Sequence, residues 1–427
     1  MKICIKTWGC SANQSDSEML AGTLKAAGHS IVSKPEKADI IILNTCIVKN
    51  RVEVDEIKEV KKFERIKPII VTGCMAQATQ IIQTYKKYLQ NVSLLGIWDQ
   101  SEIARAVESV KSGKRVVWIS KKPYEKLCSL KIRKNKTIEI CQIATGCLSN
   151  CSFCATKFAK GNLFSFSKEK ILSQIKSALA EGCKEIWLTA QDCGAYGLDC
   201  GTNLPELLQE ISNLKGEFFV RVGMANPQWI KKYKKELIEC FKKEKIFKFL
   251  HIPVQSGSNS VLKAMLRGYK VSDFKEIISA FKKEIPNITI STDIICGYPT
   301  ETERDWKSTI KLIKWLKPDV INISQFWPRQ GTLAAKLPQL PGEIKKARSR
   351  ELTKLYDKIA LERNKAWLGW KGKVLIDEIG PKGGFIARNY AYKPIVLNCS
   401  DVKPGMFVKC KIIEAKSKYL IGKLIRN

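Results

Sequence analysis

Histidine is nearly absent from this chain: its 427 residues include only His29 and His251. Metal sites built mainly from imidazole are therefore excluded, and any centre with several protein ligands must draw on thiolates or carboxylates. Long apolar runs are missing as well. No stretch of 18 apolar residues occurs, so no membrane-spanning helix is expected. The opening Met1-Lys2-Ile3-Cys4-Ile5 reads as the start of a strand, not as an export leader. A disulfide framework is accordingly not expected. Acidic residues are scarce beside basic ones, 41 Asp and Glu against 74 Lys and Arg, which gives a formal charge of +33. Such an excess points to a polyanionic partner, most often nucleic acid. The lysines are spread along the whole chain, so a general surface bias stands as the alternative.

What the chain does have is cysteine, 16 in all. Three of them fall in Cys147-Leu148-Ser149-Asn150-Cys151-Ser152-Phe153-Cys154, a C-x3-C-x2-C run entered through Gly146 and left through Lys157 and Gly161. Iron–sulfur clusters of the [4Fe–4S] type take four Cys, so three leave one iron open to an exogenous ligand. The spacing also fits a structural zinc knuckle or thiols packed in a core, because metal choice rests on geometry as well as ligand type.

The length suits two to four domains. Residues 1–110 alternate short apolar runs (2–7, 40–43, 69–72 and 92–95) with helical patterns (15–27, 52–65 and 77–89), which predicts a doubly wound α/β unit with a parallel sheet. Ser15-Asp16-Ser17-Glu18 predicts a helix N-cap followed by an acidic first turn. Cys10, Cys46 and Cys74 each follow one of these strands. Ligands bind at the carboxyl ends of strands in open α/β sheets, so the three form a candidate second thiolate site. Small buried hydrophobes are the competing reading.

Residues 111–137 read as a lysine-rich linker with a hairpin. From 138 to 366 strands and helices alternate again, with strands at 138–144, 185–189, 218–222, 247–254, 288–295 and 320–324. Six βα units predict a partial (βα)6 barrel. A basic helix is expected over 343–367. Residues 367–427 carry period-2 patterns, a Gly383-Gly384 turn and, from 371 on, 12 Lys or Arg against 4 Asp or Glu, which predicts a small basic all-β barrel.

The two cysteine triplets and their order resemble the radical S-adenosylmethionine (SAM) methylthiotransferases. The resemblance covers essentially the whole chain. It is carried by Gly9-Cys10-x2-Asn13-x2-Asp16-Ser17-Glu18, Asn44-Thr45-Cys46, Gly73-Cys74-Met75-Ala76 and the central triplet. Later segments also fit: Leu188-Thr189-Ala190-Gln191-Asp192, Arg221-Val222-Gly223-Met224, Pro253-Val254-Gln255-Ser256-Gly257-Ser258, residues 293–300 and residues 325–332. The segment Gln325-Phe326-Trp327-Pro328-Arg329-Gln330-Gly331-Thr332 is similar to the archaeal and eukaryotic tRNA branch.

The resemblance implies an N-terminal auxiliary-cluster domain (1–110), a linker (111–137), a radical SAM core (138–366) and a C-terminal TRAM RNA-binding barrel (367–427). It implies two [4Fe–4S] clusters. One on Cys147, Cys151 and Cys154 would bind SAM and cleave it to a 5′-deoxyadenosyl radical. The other, on Cys10, Cys46 and Cys74, would carry the sulfur. Radical chemistry suits carbon 2 of adenine, which has no acidic proton for general bases to remove. Gln191, Asp192, Arg221, Gln255 and Ser256 are the implied SAM or substrate contacts, each with a capping, loop-structuring or interior role as its alternative. His251 is expected to sit in a strand rather than to act in catalysis. The implied substrate is N6-threonylcarbamoyladenosine at tRNA position 37, presented by the anticodon stem-loop, with ferredoxin or flavodoxin as electron donor. A cytoplasmic monomer without a membrane anchor is expected. Methylthiolation of another adenosine, methylthiolation of a ribosomal protein, and a non-catalytic zinc RNA-binding protein are the alternative functions.

Overall fold

The computed structural model describes residues 1–48, 50–381 and 383–425. Contacts divide the chain into two compact units. The first takes Met1–Lys134, Ile140–Gln174 and Arg329–Ala335; the second takes Asn135–Glu139, Ile175–Pro328 and Lys336–Asn427. The central cysteine run therefore packs with the N-terminal residues, in the first unit.

The first unit is built on a six-stranded sheet of β1 (Lys2–Thr7), β2 (Ser30–Ile31), β3 (Ile40–Thr45), β4 (Ile69–Gly73), β5 (Ser93–Leu95) and β6 (Val117–Trp118), in the order β2-β1-β3-β4-β5-β6. Every pairing is parallel. The continuous apolar run of β3 suits a strand covered on both faces. Ile41 and Leu43 enter one core cluster, and Ile40 and Ile42 the other. Helices α1 (Ser11–Ala26), α2 (Asn50–Phe63), α3 (Cys74–Ala78), α4 (Gln83–Tyr88) and α5 (Ile103–Lys111) connect the strands, and α6 (Thr156–Lys160) follows the central cysteine run.

Three local expectations are corrected. Helix α1 begins at Ser11 with Cys10 as its N-cap, so Ser15–Glu18 lie inside the helix, buried rather than capping it. The 77–89 pattern splits into α3 and α4 with a turn between them; Gln77, inside α3, accepts from Ile97 N–H and donates to Ser120 O. Residues 117–118 form β6, a sixth parallel strand, where a hairpin was expected.

The second unit holds two three-stranded sheets. One contains β11 (Phe219–Val222), β10 (Glu185–Thr189) and the first residues of β7 (Ile138–Gln142); the other contains β12 (Phe249–His251), β13 (Thr289–Cys296) and β14 (Val320–Gln325). The β10–β11, β12–β13 and β13–β14 pairs are parallel. A parallel bridge between Val220 and Ile246 leads from one to the other. The six strands follow chain order, as a partial (βα)6 barrel requires. Two short strands, β8 (Ala144–Thr145) and β9 (Phe164–Ser165), pair in the first unit.

After the helix Gly342–Lys365, strands β15 (Lys371–Ile379), β16 (Phe385–Arg388), β17 (Pro394–Leu397), β18 (Phe407–Ala415) and β19 (Leu420–Leu424) close into a barrel in the order β15-β16-β17-β19-β18. Val374, Ile376, Ala387, Ile395, Leu397, Ile412 and Leu420 fill it. β16, next to the Gly383-Gly384 turn, is the strand that patterning did not reveal.

Candidate functional site

Strands β1, β3 and β4 end side by side, and each is followed by a cysteine. Cys10 caps α1, Cys46 stands one residue beyond β3, and Cys74 is the first residue of α3. Glycine permits the close approach. Gly9 has φ +100°, and a Cβ there would lie 2.6 Å from Cys46 Cβ and 2.7 Å from its Sγ. Gly73 has φ +87°, and a Cβ there would meet Thr45 O at 2.5 Å. Both conformations suit glycine alone.

Polar side chains staple the three strand ends together. Asn13 Nδ2 donates to Thr45 O at 2.8 Å and to Trp8 O at 3.0 Å. Asn44 Nδ2 donates to Asn13 O and to Ser17 Oγ, both at 2.8 Å. Thr45 Oγ1 donates to Thr72 O at 2.5 Å and accepts from Met75 N at 3.2 Å. Cys46 N–H donates to Glu56 Oε1 at 2.7 Å. Burial pushes the Cys74 thiol up to about 12 against the opposing pull of the Lys160 ammonium, with Cys10 adding to the rise. Burial, then Cys74, raises Cys46. Three thiols that repel one another as thiolates suit a centre that binds and neutralises all three.

The second triplet is local. Gly146, at φ +73°, opens the loop; a Cβ there would stand 1.8 Å from Asn162 O. Cys147 N–H donates to Gly161 O at 3.2 Å, Cys154 N–H to Cys151 O at 3.1 Å and Ser149 N–H to Cys147 Sγ at 3.4 Å. Lys157 Nζ donates to Cys147 O. The three thiols are partly exposed, whereas in the other triplet Cys46 and Cys74 are buried and Cys10 is exposed. Among the described residues no three His, Cys, Asp or Glu side chains close together as they would around one chelated ion. A [4Fe–4S] cluster binds each thiolate through a different iron, so its ligands stand further apart. The two all-thiolate donor sets, each of three Cys on glycine-shaped turns, fit such clusters.

Further charged residues join these sites, in roles that patterning did not indicate. Asp16, fully buried, accepts from Lys126 Nζ at 3.2 Å and Gln142 Nε2 at 2.8 Å, and Lys160 Nζ lies 3.7 Å away. Burial opposes its ionisation, but Lys126, Lys160 and Gln142 hold its carboxyl below the usual range. Arg329 donates to Val48 O at 2.9 Å and pairs with Glu53, which also accepts from Tyr85 Oη at 2.6 Å. Ala334 N–H donates to Ser152 O at 2.9 Å. The segment Arg329–Ala335 thus touches the surroundings of both triplets. The motif residues Asn13 and Asn44 carried the signal for the staples, and Asp16 and Arg329 also lay in quoted motif segments; nothing in the spacing marked Lys160.

In the second unit Gln191 and Asp192 follow β10. Gln191 is partly exposed. Asp192 Oδ1 accepts from Gly194 N and Asn226 N, both at 3.0 Å, and burial raises its pKa to about 6. Gln255 is nearly buried at φ +69°, its backbone bonded to Asp293 O and Ile295 N. Ser256 is fully buried; its Oγ accepts from Ser258 N at 3.2 Å. Arg221 lies among the rings of Trp187, Phe249 and Tyr392, 5.1–5.5 Å from their centroids. His251 ends β12, with Nε2 3.0 Å from Asp293 Oδ1. The barrel aromatics Phe385, Tyr390, Tyr392 and Phe407 pack against other side chains of the unit. On the barrel surface, exposed lysines face one another across strands, Lys373 opposite Lys409 and Lys371 opposite Lys411, which is in turn opposite Lys423. Lys373 is already paired with Glu217, but like charges directly opposite are destabilising, so a polyanion relieves the row of Lys371, Lys411 and Lys423.

Three family models match in chain order: uncharacterized protein family UPF0004 over residues 2–95, the radical SAM superfamily over 141–313 and the TRAM domain over 369–425. A relative from Pyrococcus horikoshii, named probable threonylcarbamoyladenosine tRNA methylthiotransferase, is 40% identical over 430 residues, spanning all of both chains. The chain belongs to the threonylcarbamoyladenosine tRNA methylthiotransferase family. A human member is 38% identical over 436 residues, covering all of this chain and 74% of the relative. The fold is similar to that of the radical S-adenosylmethionine methyltransferase TsrM from Kitasatospora setae, with TM-score 0.57 at 12% identity, over 78% of this chain and 73% of that one. As in the methylthiotransferase family at large, SAM and two [4Fe–4S] clusters are the cofactors. No helix among the described residues is long and apolar enough to cross a membrane.

Proposed function

We infer that this chain is a radical SAM tRNA methylthiotransferase that converts N6-threonylcarbamoyladenosine at tRNA position 37 to its 2-methylthio form. The observation that carries the reading is the pairing of two three-cysteine sites within one compact unit of a chain 40% identical to a family member from end to end. When bound, the cluster at Cys147, Cys151 and Cys154 supplies the electron that cleaves SAM to a carbon radical, and the one at Cys10, Cys46 and Cys74 supplies the sulfur.

The chain's own residues hold and orient. Gly9, Gly73 and Gly146 give the turns that present the thiols; Asn13, Asn44 and Thr45 fix three strand ends in register; Glu56 anchors Cys46 through its backbone. Gln191 and Asp192, at the end of β10, are assigned to the SAM side, as strand-end residues of barrels commonly are. Arg221, Gln255 and Ser256 are assigned supporting roles around it. The four-part division (1–110, 111–137, 138–366 and 367–427) is kept as a functional one: sulfur carriage, connection, radical generation and RNA binding.

The lysine stripe of the barrel supports tRNA binding through phosphates, which positions RNA without reading its sequence. A base in the anticodon loop is reached by being splayed out of its stack, the usual mode for single-stranded RNA. A cytoplasmic monomer served by ferredoxin or flavodoxin completes the reading.

Nucleoside mass spectrometry of tRNA from a strain deleted for this protein tests the function. The 2-methylthio nucleoside should vanish and return on complementation, with the unmodified precursor accumulating in between. Its persistence in the deletion strain, with no paralogue present, overturns the assignment.

A further inference from the structure

Helix α6 begins two residues beyond Cys154 and ends in Lys160, whose side chain is 2% exposed. A buried lysine needs an anion. The carboxylate beside it, Asp16, is already engaged by a second buried lysine: Lys126 Nζ lies 3.2 Å from Asp16 Oδ1 and donates to Gln100 Oε1 at 2.7 Å. Lys160 stands 3.7 Å from Asp16 Oδ2, too far for a hydrogen bond. Two buried cations thus share one carboxylate, leaving a positive charge in excess. Ala159, the residue before Lys160, packs in the same core cluster as Cys74, and Cys74, Cys10 and Cys46 act on the Lys160 ammonium beside Asp16, with Glu56 buried next to Cys46. A buried ammonium beside three thiols is matched by the anionic cluster that those thiols would hold.

We propose that Lys160 is the counter-cation of the iron–sulfur cluster held by Cys10, Cys46 and Cys74, a positioning residue delivered into that site from the segment that carries the other triplet. The proposal rests on the reading of those three cysteines as cluster ligands. A nearby cation favours addition of an electron, so Lys160 sets the cluster's potential as well as its retention.

The test uses the full chain with Cys147, Cys151 and Cys154 replaced by Ala, so that only one cluster reconstitutes. Failure of this parent, Lys160 intact, to load any cluster refutes the reading of the cysteines and is seen before Lys160 is altered. Given a loaded parent, Lys160→Met should shift the EPR-monitored midpoint to more negative potential and speed iron loss to a chelator several-fold. Lys160→Arg should restore both toward the parent. Without iron the unmatched charge is a liability, so iron-free Lys160→Met should melt at or above the parent. A Lys160→Met protein that folds but loads no iron, beside a Lys160→Arg protein that loads, supports the proposal. An unchanged midpoint and chelation rate overturn it. So does an iron-free Lys160→Met protein that melts well below the parent or does not fold, since Lys160 is then part of the fold's own ion pairing.

Discussion

The two cysteine triplets solve one problem in opposite ways. Cys147, Cys151 and Cys154 lie within eight consecutive residues, on a loop whose base is closed by Cys147 N–H and Gly161 O. Cys10, Cys46 and Cys74 come from three loops and meet only because β1, β3 and β4 are neighbours in register. The local site is shaped by backbone conformation at Gly146, and its thiols stay partly exposed. The dispersed site is shaped by side-chain staples and burial: Asn13 and Asn44 cross between strand ends, and Cys46 and Cys74 are shut away from solvent. A local site tolerates change elsewhere in the unit; a dispersed one depends on the sheet that assembles it. The local triplet is uniformly half-exposed, whereas the dispersed one sets an exposed Cys10 beside two buried thiols, so exchange at it is confined to the Cys10 side.

The sharpest way to break this comparison is to remove ligands from one triplet at a time. Cys147→Ala, Cys151→Ala or Cys154→Ala should take both SAM cleavage and methylthiolated product to background. Cys10→Ala, Cys46→Ala or Cys74→Ala should remove product while SAM cleavage, read as 5′-deoxyadenosine by chromatography, continues. Loss of cleavage in the second set, with the other cluster intact by iron content, would erase the division of labour.

Glycine substitutions probe the same contrast with less damage. Gly146→Ala places a Cβ 1.8 Å from Asn162 O at φ +73°. Strain at such a φ is worth about 1–3 kcal/mol before the clash is counted. It should cost the local cluster and cleavage together. Gly73→Ala, with its contact to Thr45 O at 2.5 Å, should lower stability comparably but spare cleavage, as read by chemical denaturation beside the activity assay.

RNA binding should be separable from both triplets. Replacing Lys371, Lys409, Lys411 and Lys423 by Ala should flatten the dependence of log affinity for tRNA on log salt by about 3 in slope. Iron content and SAM cleavage should hold. A slope that does not change would place the phosphate contacts elsewhere on the chain.

The smallest effect on cluster chemistry is expected at Asp192, remote in sequence from either triplet, where the change is one of stability alone. Its pKa is raised to about 6 by burial, so the folded chain holds this proton more tightly than the unfolded chain does. Stability is therefore lost as pH rises from the ordinary carboxylate value toward about 6. Asp192→Asn keeps the acceptor for Gly194 N and Asn226 N and removes the charge. It should gain stability relative to the parent across that window, by up to about 3 kcal/mol at neutral pH, measured by urea denaturation. Cluster loading should not change.

Much of this was legible in the chain. The apolar runs of β1, β3 and β4, the Gly-Cys pairs at 9–10 and 73–74, and the C-x3-C-x2-C spacing each report local physics: what a buried parallel strand, a tight turn or a chelating loop requires. Local reading failed where a residue's partners are distant. The acidic Ser15–Glu18 stretch has the composition of a helix start, yet Cys10 is the cap and Asp16 points inward to Lys126, Gln142 and Lys160. For Arg221, read as a carboxylate contact or an interior residue, the three aromatic rings around the guanidinium come from separate strands and a barrel loop, neighbours that chain order does not announce.

By itself, then, the sequence determined the class of chemistry, because thiolate count and spacing are covalent facts, and the succession of α/β, partial-barrel and β-barrel modules, because hydrophobic periodicity is local. Only the tertiary structure decided which charges are buried together. Lys160 and Asp16 are 144 positions apart in the chain, and the free energy of a buried charge depends on neighbours that chain order does not specify.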